Sequence, residues 1–318
     1  MLSSILGART PFPYQLSRVA MSVRRAMLGA ALASSSATIG GATVVLTRYI
    51  LPESDPFSLP MARYGIGALV LLLIVYVTGS AQRILTRDWL AIVLLSLVFY
   101  TAFPWAFARA LEDTTAARAG IVYTSMPLIA LVFGTLIGKE TMSWRKVIAV
   151  TIALGGISLT LSEDLGDVAP NAWRGDLFMV LAAFFCAVYV LYARPYVVRY
   201  GGLNLTAIQM MIGSVALVPI AIVMGTPFSG SLDFDSTGWA VLLILAIPGA
   251  SLMVMIYIMA INMTNPTGVT MTVGFNPLSS IILGSLILSE PVTYRIVGGF
   301  LCIVGAVILS NMERQMEK

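Results

Sequence analysis

Apolar positions in this chain do not alternate as they would in a half-buried strand. They come in long runs separated by short polar breaks. Ten runs stand out: 27–48, 57–78, 88–108, 115–137, 144–162, 175–195, 203–225, 238–259, 265–288 and 294–311. Each approaches the roughly 20 residues a helix needs to cross about 30 Å of hydrocarbon. The breaks carry turn chemistry: Pro52 to Pro56, Thr78-Gly79-Ser80, Gly166 to Pro170, Gly201-Gly202 and Gly225 to Gly238. Connections this short predict one bundle of ten helices.

The pattern repeats. Residues 110–156 and 260–306 align without a gap at an offset of 150. Thr114 falls on Thr264, Pro127-Leu128 on Pro277-Leu278, Gly134 on Gly284, Glu140 on Glu290, Arg145 on Arg295 and Gly155 on Gly305. Two apolar segments match by chance at leucines and alanines, not at proline, glutamate, arginine and glycine together. Trp89 matches Trp239 at the same offset, and Gly29 and Arg48 match Gly175 and Arg194 at a slightly smaller one. The repeating unit is therefore five spans long, over 27–162 and again over 175–311. Because five is odd, the two copies cross the membrane in opposite senses. The fold class expected is all-α integral membrane, ten transmembrane helices in two inverted five-helix repeats. Inverted repeats are a signature of secondary transporters, with a site near the midplane between the halves.

Composition agrees with a membrane class: 58% of residues are hydrophobic, 11% are charged, and mean hydropathy is +0.91. A soluble domain carries about 25% charged residues. The chain has no histidine, which removes the commonest general base and metal ligand. Cys186 and Cys302 lie inside apolar runs and read as small core residues. No catalytic residue, metal or cofactor is expected. Gly134 to Lys139 (GTLIGK) imitates a phosphate loop but lacks its spacing and the Ser/Thr after Lys. The net charge of +4 bears on topology and points to no nucleic acid.

Charge orients the spans. With the N-terminus in the cytoplasm, cytoplasmic segments hold Arg9, Arg18, Arg24, Arg25, Arg83, Arg87, Lys139, Arg145, Lys146, Arg194, Arg199, Arg314 and Lys318. The opposite loops hold mainly acids, among them Glu53, Asp55, Glu163, Asp164, Asp167, Asp233 and Asp235. This is a positive-inside distribution. It places both termini in the cytoplasm of a multi-pass protein of the inner (plasma) membrane. Residues 1–26 read as a cytoplasmic segment ahead of an uncleaved first span, and 312–318 as a cytoplasmic tail. Met21, which begins MSVRR, is an alternative start that would leave 1–20 without order or outside the translated chain.

Several of these residues carry a resemblance. Arg63 early in the second span is one; the segment from Ala110-Leu111 to Pro127-Leu128 and the Gly138-Lys139-Glu140 turn are others, and these two recur as Ala260 to Pro277-Leu278 and Ser289-Glu290. The chain resembles the EamA-type proteins of the drug/metabolite transporter superfamily over nearly all of its length after residue 26. The resemblance implies two EamA domains (27–162 and 175–311), alternating access, and a cavity lined by the first, third and fourth spans of each half. It leaves the substrate open. Arg118 departs from the family pattern, which more often has a small residue there.

Individual residues admit two readings each. Arg118, near one end of the fourth span, is a candidate anion anchor for substrate; the alternative is an ion pair with Glu112 or Asp113. Arg63 reads first as a shared structural feature. Pro127 and Pro277 remove a backbone donor in mid-membrane, and read as hinges or as packed kinks re-satisfied by Thr124 or Ser125. Tyr100, Tyr123, Tyr189 and Tyr257, with Asn276 before its proline, are candidate substrate-binding residues, or else interface anchors and inter-helix glue. Ser34, Ser35, Ser36 and Thr38 suit close packing or cavity lining. Glu140 and Glu290 read as turns that cap the helices starting near Ser143 and Thr293. The expected function is export of a small polar metabolite, an amino acid or relative, across the inner membrane. The alternatives are uptake of a vitamin or nucleobase-like compound and, of a different class, a lipid-handling enzyme or flippase. The expected partners are a small-molecule substrate and the lipid bilayer, with a homodimer left open.

Overall fold

The computed structural model describes residues 12–162, 169, 171–228, 230–261, 263, 272 and 274–316. Ten apolar helices occupy them: α1 (Met27–Glu53), α2 (Ser58–Val77), α3 (Thr86–Asp113), α4 (Ala116–Leu136), α5 (Trp144–Leu161), α6 (Ala172–Tyr200), α7 (Gly202–Met224), α8 (Ser236–Ala260), α9 (Phe275–Leu288) and α10 (Tyr294–Ser310). The first eight are long and apolar enough to cross a membrane, and the described parts of α9 and α10 are shorter. Backbone helix continues N-terminally from α1 to Phe12, so part of the segment read as a separate leader extends the first span. The first part of the expected ninth span, 264–271, lies outside the described residues.

Helices hide their own backbone polarity, and that leaves only side chains to decide which faces meet. Large apolar residues such as Leu69, Leu73, Val215, Val223 and Leu301 stay exposed on the outside, where lipid covers them. The extensive contacts run between the sequence halves rather than within them: α1 against α8 and α9, α6 against α3 and α4, α2 against α7, α5 against α10 and α4 against α9. These pairs exchange under the repeat. The result is two interior trios, α1/α8/α9 and α3/α4/α6, each drawing on both halves. The halves interleave, so neither sequence half is a body of its own.

Small residues permit this. A Cβ built on Gly41 of α1 would lie 2.1 Å from the Asn276 carbonyl oxygen and 2.0 Å from Ser279 Oγ, both on α9. Gly156 of α5 similarly faces the Gly299 carbonyl of α10 at 3.1 Å. At the loops, Asp55 Oδ1 accepts from the amides of Phe57 and Ser58, each at 2.8 Å, and caps α2. Its Oδ2 accepts from the Thr226 amide at 3.2 Å, which ties the loop before α2 to the loop after α7. Burial raises the Asp55 carboxyl, but polar neighbours, the Ser58 and Phe57 amides among them, outweigh it and hold the group below its ordinary value.

The two membrane faces are named here by their arginines: Arg48, at the end of α1, and Arg194, at its repeat-equivalent place near the end of α6. Gly41→Ala should push α1 off α9 and lower stability by about 1–3 kcal/mol. Gly155→Ala, where a Cβ meets nothing within 4 Å, should leave it unchanged or slightly raised. Thermal unfolding of the two variants in detergent checks this.

Candidate functional site

Between the two trios lies a cavity of about 400 Å³. Its walls come from the middle of α1, α3, α4 and α8, with Arg63 and Tyr64 from α2 and single contributions from α6, α7 and α9. Two irregularities shape it. In α3, residues Val98–Ala102 open into a π-helical turn; in α8, Ile247–Leu252 do the same. The two turns stand in repeat register, and π turns inside α-helices often mark functional sites. Each is held by a matching bond. Thr101 Oγ1 donates to the Gly213 carbonyl at 3.0 Å, and Ser251 Oγ donates to the Gly67 carbonyl at 2.8 Å. What the turns present differs: Phe99 and Tyr100 from α3, Gly249 and Ala250 from α8.

The α4 wall is interrupted as well. Its helix stops at Thr124 and restarts at Met126, with Pro127 in the new first turn. Proline fits there because a first-turn amide has no helical acceptor. Thr124 Oγ1 donates to the Gly120 carbonyl at 2.7 Å and Ser125 Oγ to the Val122 carbonyl at 2.6 Å, so hydroxyls satisfy backbone at the break. Pro277 likewise falls in the first turn of α9 and is buried, but it does not line the cavity. The carbonyl it would free, that of Val273, lies outside the described residues.

The tyrosines and Asn276 divide. Tyr100, Tyr123, Tyr257 and Asn276 line the cavity, as does Pro127. The Tyr123 hydroxyl lies 3.5 Å from Cys186 Sγ. Asn276 Oδ1 is buried and has no hydrogen-bond partner. Tyr189 stands behind the wall: its ring stacks on Phe99 at 4.2 Å between centroids, and its hydroxyl donates to Gln209 Oε1 at 2.8 Å. Of the α1 hydroxyls, Ser36 lines the cavity and donates to the Met253 carbonyl at 3.0 Å, whereas Ser34 and Ser35 bond back to their own helix.

Arg118 is not in the cavity. It is 3% exposed and bound to Asp176 at the start of α6, with Nε 2.8 Å and Nη2 2.6 Å from Oδ2. Nη2 also donates to the Leu161 carbonyl at 3.1 Å, and Thr114 Oγ1 donates to the other Asp176 oxygen at 3.1 Å. A fork already filled by a buried carboxylate is not free to hold a substrate, which corrects the expected anion anchor. The ion-pair alternative was the right kind of contact with the wrong acid. Glu112 and Asp113 pair instead with Arg109. The true partner is 58 residues away, and only the inverted repeat brings the two helix starts to one face.

Glu290 also departs from its expected role. It caps α4, not α10: its oxygens accept from the amides of Ala116 at 2.8 Å and Ala117 at 3.1 Å, while Arg48 Nε sits 3.0 Å away. Arg48 Nη1 donates further to the carbonyls of Leu111 at 2.6 Å and Thr114 at 2.5 Å. These contacts join the two trios across the Arg48 face. Glu140 repeats the same turn on the other face, its amide 3.1 Å from the Gly134 carbonyl as that of Glu290 is 3.2 Å from Gly284.

Sequence reasoning missed two things at the site. Arg63, read as structural, lines the cavity while 7% exposed. Phe99, Phe103 and Phe107 form one wall; their spacing of four was a visible helical stripe, though it is equally the signature of ordinary core.

An interleaved inverted repeat around a central cavity in a bundle of apolar helices fits a membrane transporter. The comparisons agree. The model of the EamA-like transporter family matches residues 27–162 and 173–312, and the chain belongs to that family, within the drug/metabolite transporter superfamily. It is a transporter and not an enzyme. It is 26% identical over 268 residues to an uncharacterized transporter of Archaeoglobus fulgidus, covering 83% of this chain and 91% of that one. It is 27% identical over 280 residues to the uncharacterized transporter YcxC of Bacillus subtilis, covering 86% and 89%. A more distant relative, 23% identical over 177 residues and covering 56% of this chain and 58% of its own, is a S-adenosylmethionine uptake transporter of Rickettsia felis. A solved crystal structure shares the fold at a TM-score of 0.64 and 18% identity, over 91% of this chain and 99% of that one.

Removing either member of the buried pair strands a charge, so Arg118→Ala and Asp176→Ala should each cost about 3–5 kcal/mol. The apolar double variant Arg118→Met/Asp176→Leu should recover most of that. Its substrate KM should match the wild type, because the pair does not touch the cavity. Thermal unfolding and transport kinetics measure the two parts.

Proposed function

We propose that the protein moves a small polar metabolite across the plasma membrane by alternating access, with the cavity between the two trios as its substrate site. The observation that carries this reading is the set of contacts that closes the Arg48 end of that cavity. Arg48 and Glu290 bind the α3–α4 corner to α1 and α9 on one face, while their repeat equivalents, Arg194 and Glu140, stand on the other. The positive-inside distribution supports an external Arg48 face, and the contacts there support reading them as a shut outer gate. In the outward-facing state the roles exchange: Arg48 and Glu290 release α4, and Arg194 and Glu140 grip the α8–α9 corner. The interleaving of the halves makes the trios, not the sequence halves, the moving bodies. The break at Ser125–Pro127 gives α4 a place to bend, and Pro277 serves α9 in the same way.

The substrate reading is an amino acid or a related compound, moved outward. The uptake activity of the Rickettsia felis relative favours a second reading, in which a larger nucleobase-bearing amino-acid derivative enters through the same site. A panel of labelled metabolites in reconstituted vesicles, assayed for uptake and efflux separately, decides between them; a wild-type protein that moves no member would sink both.

The gate has its own test. Ala116 is fully buried at the Arg48 face. In a cysteine-free background, Ala116→Cys should react slowly with a membrane-impermeant maleimide added outside. Adding Glu290→Gln should raise that rate about tenfold, since a charge-assisted bond of about 1.5–3 kcal/mol no longer holds the closed state. An unchanged rate would remove Glu290 from the gate.

A further inference from the structure

We infer that the cavity is built for an organic monoanion with a planar apolar body, held by Arg63, and that each passage carries one negative charge across the membrane; this rests on the cavity being the transport site. Among the described residues Arg63 is the one charged side chain lining the cavity. It is 93% withdrawn from solvent by its 7% exposure, and the contacts it makes are weak. Nη1 lies 3.3 Å from Thr47 Oγ1, Nη2 lies 3.3 Å from the Gly249 carbonyl, and Nε has no partner at all. The Tyr64 ring lies 5.1 Å from its central carbon.

The other buried arginine shows what a satisfied one looks like: Arg118 holds Asp176 through three bonds of 3.0 Å or less. Arg63 has only neutral groups. An uncompensated charge in the membrane interior is costly, and such residues mark substrate or ion pathways. A guanidinium with a free Nε is matched by the paired oxygens of a carboxylate. The π turn of α8 contributes to this arrangement, since it offers the Gly249 carbonyl to Arg63 and leaves Gly249 without a side chain.

The remaining walls define the rest of the ligand. Phe99, Phe103, Phe107 and Tyr123 form a continuous aromatic surface, with Phe99 and Phe103 stacked at 5.1 Å and Phe103 tilted on Tyr123 at 5.9 Å. Flat apolar groups pack on such faces. The unpartnered Asn276 Oδ1 asks for one N–H or O–H donor. Among the described residues no Asp or Glu lines the cavity, so an ammonium group finds no counter-ion in that lining. A net anion fits the charge balance; a cation opposes it, and a zwitterion leaves one end unmatched.

Charge also sets direction. With no carboxylate in the cavity to carry a proton, the substrate's charge is the one that crosses the field. An interior-negative membrane expels anions, and about 59 mV sustains a tenfold gradient of a univalent ion. The carrier therefore exports without a coupling ion.

Three probes share one phenylethyl body and differ in charge: 3-phenylpropanoate, L-phenylalanine and 2-phenylethylamine. Binding is measured by isothermal titration on the purified full chain, and flux in proteoliposomes with a potassium diffusion potential. 3-Phenylpropanoate should bind at least about tenfold tighter than phenylalanine, and phenylethylamine not at all. Its efflux should speed up when the interior is made negative and slow when it is made positive. Arg63→Gln should abolish its binding, and Arg63→Lys should retain part. If Arg63→Gln does not fold, the charge series on the wild-type protein decides. Equal binding of all three probes, tighter binding of phenylalanine, or flux of 3-phenylpropanoate indifferent to potential overturns the inference. Phenylalanine moving across the vesicle with no effect of potential overturns it while leaving the transport reading intact. A wild-type protein that binds none of the three, yet moves another member of the metabolite panel, does the same.

Discussion

Helices in a hydrocarbon layer gain little by burying apolar side chains against one another, because lipid is as apolar as leucine. What remains is close approach and polar contact between helices, and the rest of this structure depends on where the chain permits them. Gly41 lets α1 reach the backbone of α9, and Gly156 and Gly299 let α5 meet α10. Ser251 and Thr101 spend their hydroxyls on glycine carbonyls of the opposite half. Each of these contacts crosses the sequence midpoint. The halves are held by each other, which is why they interleave into trios and why a cavity opens along the seam.

The inverted repeat is preserved in backbone devices and broken in the side chains that face the cavity. The π turns, the hydroxyl bonds that hold them and the glutamate turns after Gly134 and Gly284 occur in both copies. By contrast Phe99 stands opposite Gly249, Tyr100 opposite Ala250, Met126 opposite Asn276, and Arg63 opposite Gln209. The first copy supplies aromatic bulk and the cation, and the second supplies bare backbone and an amide. The scaffold is thus close to symmetric, while the lining of the cavity is not. The buried Arg118–Asp176 pair is asymmetric too, since the register gives Gly268 and Ala30 as its counterparts. It stiffens the Arg48 face, while on the other face Asp88 is held by Arg199 and Tyr200.

Ten spans, their breaks and the repeat were all legible in the sequence, because each depends on runs of residues adjacent in the chain. Tyr100, Tyr123, Tyr257 and Asn276 could be picked from their depth in a span, and depth is a count along one helix. Which way a residue faces is not. Tyr189 sits at a depth like that of Tyr123, yet it turns to Gln209 behind the wall. Arg118 and Arg63 are both arginines inside spans, and of the two only Arg63 lines the cavity. Nothing near Arg118 in the chain shows that Asp176 will fill its fork, and nothing near Arg63 shows that no acid will reach it.

The sequence by itself determined the membrane class, the number of helices and their opposed repeats, since hydropathy and register are properties of the linear order. The tertiary structure decided which charges are spent on one another and which one is left facing the cavity. Pairing across 58 residues at Arg118, or 242 at Arg48 and Glu290, depends on how inverted copies nest. A carboxylate's electrostatic reach extends only to groups the fold has already brought within a few ångströms.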